Sequence, residues 1–143
     1  LLMTADFYWA DGQFDLAADA YGFHAQRYPR SPLHPQVRLR QAYSNLAQYN
    51  GPLYDPTSVI NARAQLGAIL AEFPELAERE DVRGKIELSD RQIARKLYLT
   101  ADFYKRTGKP EAAVHVARRL VSQYPELPET EDAKRLLASL EGS

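Results

Sequence analysis

Thr4–Pro32 aligns without a gap on Thr100–Pro128, an offset of 96 residues, and this internal repeat constrains the fold more than any other property of the chain. Ten positions are identical. Thr4-Ala5-Asp6-Phe7-Tyr8 recurs as Thr100-Ala101-Asp102-Phe103-Tyr104, and Gly12, Ala17, Tyr28, Pro29 and Pro32 recur as Gly108, Ala113, Tyr124, Pro125 and Pro128. Self-similarity at a fixed offset is the mark of an architecture in which each unit buries its apolar face against its neighbours.

A third, weaker copy lies between these two. Phe73-Pro74-Glu75-Leu76 echoes Tyr124-Pro125-Glu126-Leu127, and each of Pro29, Pro74 and Pro125 has an alanine twelve residues earlier: Ala17, Ala62 and Ala113. Four residues after each alanine comes a packing residue, Tyr21, Leu66 or Ala117. This is the second half of a tetratricopeptide repeat, A-x3-F…P. The first half reads Leu1, Thr4, Ala5, Tyr8 in one copy, Leu97, Thr100, Ala101, Tyr104 in another, and Leu39, Ala42, Tyr43, Leu46 in the middle one. Small residues let two antiparallel helices approach, aromatics fill the space between pairs, and proline stops the second helix. Gly12 and Gly108 supply the turn within each hairpin.

The pattern predicts an all-α tetratricopeptide-repeat α-solenoid with helices over about 1–11, 13–28, 34–49, 57–73, 78–107, 110–124 and 129–141. Tyr and Val recur at three- and four-residue spacing, never in the alternation a strand requires. We expect one domain over 1–143, with repeats at about 1–32, 34–76 and 78–128, about three hairpins, and a terminal helix at 129–141. Thr57 or Ser58 and Thr130 are candidate helix caps. The proline spacings of 45 and 51 residues exceed the 34 of a regular array. About seven extra residues fall in the Asn50–Pro56 loop, and 17 fall between Ala77 and Lys96, where they lengthen the fifth helix by roughly 25 Å. Gly84 and Ser89-Asp90 are its expected weak points.

Composition removes several function classes. The 18 Lys and Arg nearly cancel the 19 Asp and Glu, so no basic excess favours nucleic acid. Zero cysteines exclude disulfides, thiolate catalysis and Cys-ligated metals. No run of about 18 apolar residues offers a membrane span. His24, His34 and His115 are too dispersed for a zinc helix, and His24 is expected to be part-buried with a hydrogen-bond partner. Phosphate loops and nucleophile elbows are missing. Carboxylate pairs such as Asp15/Asp19 and Glu129/Glu131 sit near helix starts, where they complement the macrodipole. The expectation is no enzyme, no metal and no cofactor.

The chain enters in helical rhythm at Leu1, which suggests an excerpt of a longer protein, with any signal peptide or lipid-attachment cysteine outside it. Apolar faces at Leu1/Leu2 and Leu136/Leu137/Leu140 would then be exposed and prone to self-association.

Asp55-Pro56 through Ala62-Arg63, the Phe73-Pro74 helix end, the over-long helix, Ala101–Gly108 and Gln123-Tyr124-Pro125 together resemble the carboxy-terminal repeats of the BamD (YfiO/ComL) family of outer-membrane β-barrel assembly lipoproteins. The similarity covers roughly His34 to Leu137. The resemblance implies a periplasmic scaffold on the outer membrane, anchored through an amino-terminal lipid outside this chain. Its implied partner is the barrel-insertase subunit, docking on the carboxy-terminal half. The residues themselves leave a cytoplasmic location open.

Repeat geometry puts the first helix of each hairpin on a concave face, the usual ligand groove. Projection places there Asp6 and Trp9, then Arg40, Gln41, Ser44 and Gln48, then Tyr98, Asp102 and Lys105. Trp9 is the sharpest candidate for a peptide anchor, because the other full copy carries Lys105 at its position. The competing reading packs it against a neighbouring repeat. Asp6 and Asp102, at one repeat position, are either caps or ligand groups. The charged insertion, with Arg83, Glu87, Arg91 and Arg95, is either a solvated face or a partner-docking surface. The functional readings are an assembly scaffold, a generic peptide-binding array, or an architectural and oligomerisation module.

Overall fold

The computed structural model describes residues 2–141, and these contain eight α-helices and no strand. In chain order they are α1 (Leu2–Ala10), α2 (Phe14–Arg27), α3 (His34–Gln48), α4 (Thr57–Glu72), α5 (Pro74–Arg79), α6 (Val82–Arg106), α7 (Pro110–Gln123) and α8 (Pro128–Glu141). The repeat signature is written directly in the backbone. Tyr28, Phe73 and Tyr124 end α2, α4 and α7 with φ of -125, -132 and -133° and ψ of 62, 65 and 66°. Each donates its N–H to the carbonyl four residues back, on His24, Ile69 or Leu120. The following proline's Cδ forbids the α conformation at the residue before it, so three prolines impose one helix end three times. Ala17, Ala62 and Ala113 are all wholly buried. Gly12 and Gly108 take φ of 75 and 77°, a left-handed conformation that costs other residues about 1–2 kcal/mol.

The helices pack as two units: one up to Asn50 together with Tyr54–Ser89, the other Gly51–Leu53 together with Asp90 onward. In the first, Ala5, Ala17, Tyr21, Ala25 and Val37 form one apolar cluster. A second cluster there joins Leu39, Leu66, Ile69, Leu76, Val82 and Ile86, with Tyr43 and Phe73 packed on it. In the second unit Ala94, Ala101, Ala113, Ala117, Leu120, Ala133 and Leu136 form the core.

Several local expectations are corrected. The helix expected over 78–107 is divided: Leu76 and Ala77 are buried, so the chain turns helical at once after Phe73 and forms α5. The break falls at Glu80-Asp81, not at Gly84. Asp81 has φ 50°, and its Oδ1 accepts the Gly84 N–H at 3.3 Å, starting α6. Short-chain Asp tolerates this backbone because its side chain bonds locally. Gly84 and Ser89 lie within α6, where Ser89 donates to the Lys85 carbonyl at 2.8 Å. At α4 the bond comes from Asp55, which accepts from both Thr57 N–H (3.0 Å) and Thr57 Oγ1 (2.7 Å). Thr130, fully buried, donates backwards to the Tyr124 carbonyl and so ties α8 to the end of α7.

His24 is buried against Tyr28, ring centroids 4.9 Å apart, but its Nδ1 has no partner among the described residues. Leu136 is buried, and Leu137 and Leu140 pack on the second unit's core, so α8 does not present the bare apolar face expected of it. Leu2 packs in the first unit, and Leu1 lies outside the described residues.

Candidate functional site

Asp6 stands on α1 one residue beyond the buried Ala5, and Tyr21 on α2 is 2% exposed. A buried tyrosine brings a polar tip that needs a partner. It finds one by donating its hydroxyl to Asp6 Oδ1. Arg40, from α3, donates Nη1 to the same oxygen at 2.8 Å. The three side chains tie α1, α2 and α3 together. Burial, and then the Asp6 carboxylate, push the Tyr21 phenol above its ordinary range, so it stays a neutral donor.

This trio forms one wall of a cleft of about 570 Å³ within the first unit. Trp9 stands beside it, 40% exposed, its ring edge-on to Phe14 with centroids 5.0 Å apart. Leu39, Tyr43 and Leu76 supply the apolar lining, and Glu80 a second carboxylate. Burial, with Glu80 and Asp81 nearby, raises the Tyr43 phenol as well. The cleft therefore combines an aromatic and aliphatic interior with two carboxylates, only one of them matched by Arg40. That chemistry suits an apolar side chain flanked by a positive charge.

Of the residues projected onto one groove, the structure brings Asp6, Trp9 and Arg40 together. Ser44 is fully buried and donates to the Arg40 carbonyl at 2.8 Å, so it faces no ligand. Gln41 and Gln48 open onto a different cleft, between α2 and α4. In the second unit Tyr98 packs on the core, Asp102 pairs with Arg106 Nε at 2.9 Å, and Lys105 donates to Ser139 Oγ at 2.8 Å. Those three are occupied in holding their own unit. Tyr21 was legible only as a packing residue, although Leu66 and Ala117 at its position in the other copies show that the fold needs no hydroxyl there.

Among the described residues no group of three His, Cys, Asp or Glu is arranged to hold a metal ion, and no helix is long and apolar enough to cross a membrane. Residues 51–141 match the YfiO family, described as an outer membrane lipoprotein. The chain belongs to the YfiO family. No curated protein matches it. The YfiO match spans α4 to α8, and the Asp6–Trp9–Arg40 cleft is built largely from helices before it. Inside the match lies α6, on which Arg83, Glu87, Arg91 and Arg95 are all exposed. Of these, Arg91 already has a partner: its Nη2 lies 3.4 Å from the buried carboxylate of Glu129.

Proposed function

We propose that this YfiO-family chain is a non-enzymatic scaffold of outer-membrane β-barrel assembly, working at the periplasmic face and binding protein partners. The match across 51–141 carries the reading. A mixed-charge helix of 25 residues with exposed cations and Glu87 supports it, since such a surface serves docking and orientation better than chemistry. The partner implied by the resemblance is the insertase subunit, docking along Arg83, Glu87, Arg91 and Arg95.

Titration calorimetry of the chain with the insertase's soluble periplasmic domains tests this. Arg83→Glu with Arg95→Glu should weaken binding about tenfold, the scale of a few like-charge contacts at an interface. Arg91 is left unchanged because its loss would strand the Glu129 carboxylate. Equal affinity for wild type and double variant would remove α6 as the docking surface, and no heat from the wild type would remove the partner.

A second reading, recognition of a peptide segment, is favoured by the half-open Trp9 in its cleft. There Trp9→Ala should weaken a bound apolar-basic segment about thirtyfold, the ~2 kcal/mol of an interface hot spot, at unchanged helicity. A variant that melts earlier yet binds equally well would make Trp9 a core residue.

A further inference from the structure

The cleft onto which Gln41 and Gln48 open is separate in its lining from the Trp9 cleft and lies wholly in the first unit. It runs between α2 and α4 over α3, and consists of two hollows of about 670 and about 550 Å³ that share Asp19, Asn45 and Asn61. Its composition is biased toward one functional group. The chain has three asparagines, Asn45, Asn50 and Asn61, and all three line this cleft. Four of its eight glutamines, Gln26, Gln41, Gln48 and Gln65, line it too. A cleft between packed helices of a repeat would ordinarily be closed by apolar side chains. This one is held open and polar.

The amides are ordered along the helices. Gln41, Asn45 and Gln48 succeed one another at i, i+4 and i+7 on α3, and Asn61 and Gln65 at i and i+4 on α4. Asn45 Nδ2 donates to Gln65 Oε1, and Gln48 Nε2 to Asn45 Oδ1, both at 2.9 Å, which fixes the orientation of the planar groups. Each amide has two donor hydrogens and a carbonyl oxygen with two lone pairs, so positions remain for a ligand. Gln41 reaches its place because α2 carries glycine opposite it: a Cβ at Gly22 would stand 2.5 Å from Gln41 Nε2. Glycine inside a helix is destabilising, and here it makes room for an amide.

Four residues of α-helix rise about 6 Å. Two residues of extended chain rise about 6.6–6.8 Å. Gln41 and Asn45 on α3, and Asn61 and Gln65 on α4, therefore fall close to alternate peptide groups of a strand laid along the cleft, whereas Gln48, three residues beyond Asn45 and about 4.5 Å further along, serves to orient Asn45. Each of the four can give an N–H to the carbonyl of one strand residue and take the N–H of that same residue, which belongs to the adjacent peptide group and points to the same side. The charge changes along the cleft: Asp15 and Asp55 line one hollow, Asp19 stands where the two join, and His34 and Arg38 line the other, where Arg38 is bound to Glu72 at 2.5 Å.

We propose that this amide-lined cleft binds an extended polypeptide segment through its main chain, with a lysine or arginine of the segment between Asp15 and Asp19. Main-chain recognition makes the site tolerant of sequence apart from that charge.

The test is fluorescence anisotropy of a labelled nine-residue peptide of alternating threonine and valine with one terminal lysine, titrated with the full chain. Saturable binding is expected, and N-methylation of alternate peptide nitrogens should weaken it at least about tenfold, since the donors are removed while the side chains are kept. Asn61→Ala, on an exposed position of α4, and Gln65→Ala should each weaken the parent peptide about fivefold. Asp19→Lys should reverse the preference from a terminal lysine to a terminal glutamate. Trp9→Ala should leave all of these affinities unchanged, which separates this site from the Trp9 cleft. Absence of saturable binding at millimolar peptide, equal affinity for the N-methylated peptide, or displacement of the peptide by the neutral oligosaccharide maltotetraose would each overturn the proposal.

Discussion

The α1–α2 hairpin and the α6–α7 hairpin share ten aligned residues yet use the remaining positions differently. In both, the turn glycine takes the same left-handed backbone, the two crossing alanines (Ala5 and Ala17, Ala101 and Ala113) are buried, and a Tyr-Pro pair ends the second helix. Divergence begins at the shared aspartate. Asp6 accepts from Tyr21 and Arg40, whereas Asp102 pairs with Arg106 on its own helix. One exchange sits on the second helix, where Tyr21 has been replaced by Ala117 and no hydroxyl reaches back. Identical scaffold residues hold each hairpin, and two exchanges, Tyr21 for Ala117 and Ala10 for Arg106, accompany the turn of the shared carboxylate from a neighbouring helix to its own.

Changes that convert one copy into the other sharpen this contrast. Tyr21→Ala places the second copy's residue in the first and should cost about 3–5 kcal/mol, as for other buried aromatics, seen as a lower urea midpoint. Ala117→Tyr should be disfavoured too, by overpacking of about 1–3 kcal/mol, because Ala117 is wholly buried in the second unit's core. Gly12→Ala and Gly108→Ala should lower stability by nearly equal amounts, about 1–2 kcal/mol each, since the two turns share one φ. Unequal losses would break the equivalence of the hairpins.

Alkali provides a further separation. Tyr21, Tyr43 and Tyr49, all in the first unit, have phenols raised above the ordinary value of 10.0, with burial the leading cause in each. The folded chain holds these protons more tightly than the unfolded one. Their contribution is therefore fully present below about pH 10 and is lost as pH rises through the folded values. Denaturant midpoints measured from pH 8 to 11 should fall above 10, and Tyr21→Phe should blunt the fall. The smallest effect is expected at Asp102: Arg106→Ala removes an exposed i,i+4 pair and should cost about 0.3–0.5 kcal/mol.

Most of the fold was readable because its determinants are local. Proline fixes the residue before it, glycine marks the left-handed turn, and a wholly buried alanine every repeat marks the helix crossing. The division at Glu80-Asp81 was not readable in this way. It rests on no Pro or Gly but on an aspartate that takes a left-handed backbone, and on Leu76 and Ala77 finding a core that only the folded first unit supplies.

The candidate site was half legible. Asp6, Trp9 and Arg40 meet as the repeat register places them. Arg40 and Gln41, neighbours in sequence, point into separate clefts because α3 carries polar residues on either side of a narrow stripe of Val37, Leu39 and Ala42. A helix with two wet flanks serves two clefts, and projection onto a single concave face merges them.

Trp9, the sole tryptophan, sits 5.0 Å from Phe14 at the tip of the first hairpin. Its emission therefore reports on that hairpin alone, while far-ultraviolet circular dichroism sums over every helix. The pair of signals turns one thermal scan into a test of cooperativity. Coincident transitions mean the repeats melt as one. An emission change that precedes the loss of ellipticity identifies the α1–α2 end as the place where the chain begins to open.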